Sequence, residues 1–445
     1  MILFTDVLDN LRNRKVEEKM KRFEGKRLLE LGTSVGSVDM VNYARENGAY
    51  VIVSDFSDPS RSAAKRCADK IYDISTDDLE GLINVCLENN VNAVISGVSE
   101  AIIQMSRQIA ERLDLPTYFT ADQWTRFMNK DNFRRICQKY HVSTPATYYI
   151  GAIEDIGDVS GYNYPVIIKP VDASSNAGIS ICYSAAELLG SLTRAAEKSK
   201  CKKVIVEQYI DGEEISPTYV IHNHECKMVC MGTKYPYVNE SGLRALANAY
   251  VYPSPEIDAY VENEDENVKK MFVEEGLNNC TIFLQGIHKD GKCYMFEAGL
   301  RMEGTGSYRI TSKMSGQNFL EFMVDNAMGV PTNYDLSKED PYFGGKKCVF
   351  FTQIVKGGTI DRIVGYEKIK DHEMIFGSEQ RRYPGDTIEP NGTLRQIIFR
   401  YLIMGDDMKS VVALIKEIQN TVKAYDAAGN NILVTEFNPD FLLDI

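Results

Sequence analysis

The sequence has no apolar run near the ~20 residues that a membrane helix needs, so a membrane partner is not expected. It has no Cys-x-x-Cys pair. Its ten cysteines are scattered, and Cys226 and Cys230 bracket only Lys227-Met228-Val229, which reads as a hairpin strand. A disulfide or zinc framework is therefore not expected, and free, mostly buried thiols in a reducing cytoplasm are. The chain also lacks a basic excess: 50 Lys and Arg stand against 63 Asp and Glu, a net charge of −13. That excludes a chain-wide nucleic-acid surface but leaves room for one local basic pocket. No repeat and no low-complexity linker interrupts the chain. The first twenty residues, MILFTDVLDNLRNRKVEEKM, are too charged for a secretory apolar segment and read as an amphipathic helix. At 44% hydrophobic and 25% charged, the composition is that of a folded globular protein.

A length of 445 residues suggests about three domains at roughly 150 residues each. Residues 26–120 alternate short apolar strands (KRLLELG, YVIVSD, AVISG) with helical stretches, a βαβ rhythm that predicts a parallel sheet of α/β type. Thr120 and Gln123 have the spacing of a capping box at the start of the next helix. From residue 147 the pattern becomes α+β, with strands YPVIIKP, GISICY, KKVIVEQYI, EISPTYVI, TIFLQGI and KCYMFEA. Asp290-Gly291 between the last two is a hairpin signal. Residues 256–276 hold eight acidic positions and the apolar set Val268, Met271 and Phe272, which predicts a surface helix with a solvated acidic face. A third block begins near 331, with strands KKCVFFTQIV and DRIVGYEK, a helix MKSVVALIKEIQNTVKAY and a strand ILVTEF.

Four stretches carry chemistry. Gly32-Thr33-Ser34-Val35-Gly36-Ser37 follows the first strand, but Ser34 and Ser37 stand where a dinucleotide fingerprint needs glycine, so NAD is disfavoured and a tight turn is favoured. Lys169 ends an apolar strand and precedes the small, polar loop Val171–Gly178; hydroxyls and N–H groups there suit phosphate oxygens, with Lys169 supplying positive charge. The strand 204–210 runs into Glu207-Gln208-Tyr209-Ile210, whose backbone offers donors and acceptors that match the edge of adenine, and a carboxylate follows. Gln285 and Glu297 lie twelve residues apart across the Asp290–Gly291 hairpin, which brings both oxygens toward one hard cation. Arg301 follows closely, suited to a carboxylate or a phosphoryl group. Glu100, after the strand AVISG, and Arg381, Arg382 and Gly385 are weaker candidates for a pocket wall.

In this order the four elements resemble the ATP-grasp superfamily, and within it the carboxylate–amine ligases related to biotin carboxylase and the carbamoyl phosphate synthase large subunit. The resemblance spans roughly 26–330. It implies a Rossmann-like pre-ATP-grasp domain at 1–120, an ATP-grasp domain at 121–330 with a lid at about 165–212, and a C-terminal α+β subdomain at 331–445. It implies that Lys130 and Lys169 hold nucleotide phosphates and that Ser174, Ser175 and Gly178 belong to the lid loop. Glu207 would meet the adenine amino group, the Gln208 carbonyl and the Ile210 N–H would complete the adenine contacts beside Tyr209, and Glu214 would hold the ribose. Gln285 and Glu297 fall on magnesium positions, and Arg301 on the arginine that holds an acyl phosphate. The cofactors implied are ATP and Mg²⁺, with Mn²⁺ as an alternative ion. The family pattern Glu-x-Asn reads Glu297-Ala298-Gly299 here, and the lid loop has a single glycine. The activity implied is ADP-forming ligation of a small carboxylic acid to an amine in the cytoplasm, with a homodimer left open. Bicarbonate activation and ATP binding without turnover are the alternatives.

Overall fold

The computed structural model describes residues 21–172, 178–237, 246–434 and 437–445. The amphipathic helix expected over residues 1–20 and the serines Ser174 and Ser175 of the expected lid loop lie outside these residues. The chain forms two compact units, Met1–Thr117 with Leu320–Thr332, and Tyr118–Phe319 with Asn333–Ile445.

The first unit is the βαβ domain that the sequence rhythm predicts. Strands β1 (Arg27–Leu31), β2 (Tyr50–Ser54), β3 (Lys70–Tyr72) and β4 (Ala93–Ser96) form a parallel sheet in the order β3-β2-β1-β4. Helices α1 (Ser37–Glu46), α2 (Leu79–Asn89) and α3 (Glu100–Arg112) connect or follow the strands. Leu29, Leu31 and Ile52 pack with Leu82, Val85 and Ile109 in its core. Gly32 and Gly36 have φ of +78° and +91°, so the glycine-containing segment makes a tight turn into α1. Residues 320–332 return to this unit, where Asp325 accepts hydrogen bonds from Arg22 and Tyr43. Sequence periodicity carries no sign of that return, because the partners are about 300 residues apart.

The second unit opens with α4 (Ala121–Met128) and α5 (Lys130–Lys139). Thr120 and Gln123 form the expected capping box on α4. A small antiparallel sheet follows, built from β5 (Thr147–Ala152), β6 (Val166–Pro170), β7 (Ser180–Cys182) and β8 (Lys203–Gln208) in the order β5-β8-β6-β7. Helix α6 (Ala185–Lys198) covers it, and Val166, Ile168, Leu188, Leu192, Val204 and Val206 fill the space between. The larger sheet contains β9 (Glu213–His222), β10 (Glu225–Tyr237), β11 (Leu246–Tyr252), β12 (Cys280–Lys289), β13 (Lys292–Gly299) and β14 (Lys347–Ile354). After two short strands, β15 (Gly358–Thr359) and β16 (Arg362–Val364), the chain adds β17 (Ile375–Gln380), the short β18 (Thr387–Ile388), and β19 (Ile397–Gly405). The eight long strands run in the order β13-β12-β9-β10-β11-β14-β19-β17, all antiparallel.

The large sheet continues across position 331, because β11 pairs directly with β14. Two expectations are revised. The acidic stretch 256–276 is not one solvated face. A π-turn at Val261–Asp265 rotates Glu264 and Asp265 inward, ahead of α7 (Glu266–Glu274). There Glu264 accepts the Ser143 N–H at 2.9 Å and Asp265 accepts the Tyr219 hydroxyl at 2.7 Å. Finally, among the described residues ILVTEF makes only a bridge at Leu433 to Val355 rather than a strand. Helices α8 (Ser307–Ser315) and α9 (Met408–Thr421) complete the unit; α9 packs Val411, Ile415 and Ile418 against the same core as Phe399 and Tyr401 of β19.

Candidate active site

Asp290 and Gly291 both have positive φ, 50° and 78°, and close the tight hairpin between β12 and β13. Next to Gly286 a β-bulge with Phe296 as the extra residue shifts the register by one and sets Gln285 opposite Glu297. Glu297 is one-third exposed, and Lys130 Nζ lies 3.2 Å from its Oε1. Lys130 is the first residue of α5, whose N-cap is the Asn129 side chain, so the helix start aims this lysine at β13. On the other side of Gln285, its Nε2 lies 3.5 Å from Glu214 Oε1, and Glu214 Oε2 accepts from Lys234 Nζ at 2.9 Å. Burial alone would lower the Lys234 pKa; the Glu214 carboxylate outweighs it and holds the ammonium above its usual range.

A second charged group sits beneath the small sheet. Glu207 is fully buried; its Oε1 takes Arg134 Nε at 2.6 Å and its Oε2 takes Lys169 Nζ at 3.2 Å. Burial tends to raise the Glu207 carboxyl, but the two cations more than offset this and hold it below the ordinary carboxylate value. Burial, in turn, lowers Lys169, with Arg134 adding to the effect and Glu207 opposing it. Lys169 also lies over the Phe296 ring at 4.9 Å. Because both of its oxygens are engaged, the Glu207 side chain serves as counter-charge to Lys169 and Arg134; the adenine contact expected of it would have to use the backbone. Beyond Gln208 the strand ends, and half-buried Tyr209 and Ile210 lead directly into β9. Gly178 has φ +76°, the left-handed turn that admits the chain to β7.

Arg301 follows β13. Its guanidinium lies 4.9 Å from the Phe283 ring centroid, and Nη1 donates to the Met302 carbonyl at 3.0 Å. Glu303, two residues on, is buried and accepts from Ser216 at 2.7 Å, Thr305 at 2.8 Å and Tyr252 at 3.2 Å. Burial raises its pKa despite these donors.

Cross-strand pairs, joined by the Gln285–Glu214 contact and by Arg400 over the Phe350 ring at 5.4 Å, set one row across the large sheet. Gln285 lies opposite Glu297, Glu214 opposite Lys234, Lys234 opposite Tyr250, Tyr250 opposite Phe350, and Arg400 opposite Glu379. Every strand of the sheet thus contributes to one face. The second unit brings together Lys130, Glu297, Gln285 and Glu214 in one group and Lys169 and Glu207 in another. Sequence reasoning missed Arg134, Lys234, Phe283 and Glu303. Arg134 had a readable signal, since it stands four residues after Lys130 on one helix. Lys234 had none, because only cross-strand register brings it to Glu214.

A protein-family profile, D-ala D-ala ligase C-terminus, matches residues 153–238. The carbamoyl phosphate synthase large chain of Clostridium perfringens (strain SM101 / Type A) is 22% identical over 420 residues, covering 90% of this chain and 37% of that protein. The L-amino acid ligase of Bacillus licheniformis superposes with a TM-score of 0.73 at 18% identity, over 90% of this chain and 98% of that one. The biotin carboxylase domain of Hydrogenobacter thermophilus 2-oxoglutarate carboxylase, solved with MgADP and bicarbonate, superposes at 0.75 and 15% identity, over 92% of this chain and 91% of that one. The chain has the ATP-grasp fold. It spans little more than a third of the length of the synthase chain it matches. The ATP-grasp fold accounts for the hairpin that carries Gln285 and Glu297 and for the small sheet that carries Lys169. It leaves open what stands at position 299. A Cβ there would meet the Phe283 ring at 2.2 Å, so the ring occupies the space of a third side chain.

Proposed function

We propose that the chain is an ATP-dependent, ADP-forming ligase that activates a small carboxylic acid as an acyl phosphate and joins it to an amine. The observation that carries this reading is Gln285 opposite Glu297 with Lys130 on the carboxylate. This oxygen-only donor pair, one-third exposed at Glu297 and already holding a cation, fits a hard divalent ion. Mg²⁺, when bound there, would neutralise phosphate charge. Glu297 and Gln285 would hold the ion, Glu214 would take the ribose, and Lys130 and Lys169 would bind phosphate oxygens. Lys130 would exchange Glu297 for phosphate as the ion arrives. Ser174 and Ser175, which lie outside the described residues, and Gly178 would offer hydroxyl and N–H donors to the phosphates.

In the first step a carboxylate oxygen bonds to the γ-phosphorus and the bond to the β,γ-bridging oxygen breaks, which leaves ADP. In the second, the amine nitrogen bonds to the acyl carbon, the bond from that carbon to the phosphate oxygen breaks, and the leaving phosphate takes up the proton that the nitrogen gives off. Neither step asks the chain for more than positioning and charge neutralisation, which Lys130, Lys169 and Arg301 would supply. The ten unpaired cysteines support a reducing, cytoplasmic setting for this enzyme. Among the described residues no helix is long and apolar enough to cross a membrane.

The test is ADP and phosphate release with ATP, Mg²⁺ and pools of acids and amines. Release that depends on one acid and one amine supports the reading. Release that depends on bicarbonate alone would move the chain to a carboxylase, and tight ATP binding without any release would make it a binding protein.

A further inference from the structure

The far end of the cross-strand row holds two arginines and one carboxylate. Arg400 Nη1 lies 3.7 Å from Glu379 Oε2, and Arg381 Nε lies 3.5 Å from Glu379 Oε1. Both distances exceed a good charge-assisted hydrogen bond. The Arg400 guanidinium lies 5.4 Å from the Phe350 ring centroid, and that ring lies 5.8 Å from Tyr250. The Arg400 side chain is 9% exposed. Its Nε and the Nη1 of Arg381 are both buried without a hydrogen-bond partner. A buried donor left unmade costs about 1–3 kcal/mol. Burial first, and the neighbouring Arg381 second, lower the Arg400 pKa to about 10. Two guanidiniums against one carboxylate leave a surplus positive charge. Packing alone does not require it, since β19 places Leu402 beside Arg400 on the same face, opposite Phe350.

We propose that Arg381 and Arg400 form an anion subsite that holds a substrate carboxylate other than the one that is activated. Guanidiniums match the planar, two-oxygen geometry of a carboxylate, and the surplus charge and the unmade donors would both be satisfied by it. The group belongs to the second unit and faces the same side of the sheet as Glu214 and Lys234. A dicarboxylic acid or an amino acid used as the amine would each present such a group. The word "substrate" rests on the ligase reading; the anion site rests on the arginine geometry alone.

The experiment compares wild type with Arg381→Gln, chosen because this side chain is 27% exposed and tolerates replacement better than Arg400. Acids and amines are offered both as free carboxylates and as carboxamides, and ADP release is measured. In wild type, amidation of the recognised group should raise KM by about tenfold or more, because buried donors then lose their acceptor. In Arg381→Gln the two forms should converge while the KM for ATP stays unchanged. Equal discrimination in both proteins overturns the proposal. If no mixture releases ADP, the ligase reading fails separately. The subsite is then read by calorimetric titration of folded protein with glutarate, glutamate and inorganic phosphate. Saturable carboxylate binding that Arg381→Gln weakens by about tenfold sustains it. Absent or unchanged binding, or tighter binding of phosphate, overturns it.

Discussion

Phe283 lies opposite Gly299 on adjacent strands, and its ring fills the volume that any side chain at 299 would enter. The same ring lies under the Arg301 guanidinium at 4.9 Å. One aromatic residue thus both fills the space beside position 299 and seats Arg301. Replacing Gly299 by Asn should destabilise the protein by about 1–3 kcal/mol through overpacking. Urea denaturation of Gly299→Asn and of the double variant with Phe283→Leu checks this: the double variant should regain part of the loss. Equal stability of Gly299→Asn and wild type would mean that the ring moves freely.

Phe283→Leu alone tests the support of Arg301. A cation–π contact contributes about 0.5–2 kcal/mol, so loss of the ring should lower kcat by roughly 2- to 30-fold. The KM for ATP should stay near wild type, because the ring seats Arg301, which the ligase reading assigns to the acyl phosphate and not to the nucleotide. A rise in the KM for ATP with kcat unchanged would assign Phe283 to nucleotide binding instead.

Glu207→Gln removes the single negative charge shared by Arg134 and Lys169, both of which are buried. Breaking a buried ion pair costs about 3–5 kcal/mol. Chemical denaturation should show a loss of that order. A loss below about 1 kcal/mol would mean that water or a bound anion compensates the two cations.

The same carboxylate sets a pH dependence. Its folded-state pKa is depressed below the ordinary value, so the unfolded chain takes up the proton first as pH falls. Its contribution is therefore present above the unfolded carboxylate pKa and is lost as pH falls through the folded one. Denaturation midpoints measured down through the carboxylate range should fall more steeply for wild type than for Glu207→Gln. Parallel profiles would show that other acids carry the acid sensitivity.

Glu297→Gln should lower substrate-dependent ADP release by on the order of 100-fold, with little change in stability at this partly exposed position. Retained turnover would remove Glu297 from the metal site.

Local signals were legible. Asp290-Gly291 announced the two-residue turn, but the turn alone would face Gln285 with Phe296; the one-residue bulge beside Gly286 that brings Glu297 opposite Gln285 has no signal in the sequence. Thr120 and Gln123 announced a helix start that the structure contains. The parallel sheet of the first unit followed from strand and helix lengths. What remained hidden depends on distant partners. The roles of Glu264 and Asp265 turn on a π-turn that periodicity does not encode. Lys234 and Arg400 acquire meaning only through strand order, and Glu207 only through a helix seventy-three residues away. A sequence motif names a residue type at a position; it does not say whether the carboxyl faces a ligand or a buried arginine.

The pairing of β11 with β14 has a consequence for dissecting the protein. A chain cut near residue 331 would keep both strands of the β12–β13 hairpin yet expose the backbone of Ala249–Tyr252, which now pairs with Cys348–Phe351. That stretch, Ala-Tyr-Val-Tyr, would become a bare edge of the kind that recruits a neighbouring molecule. The shorter chain would carry the motif residues and still self-associate, so solubility and motif content part company at that cut.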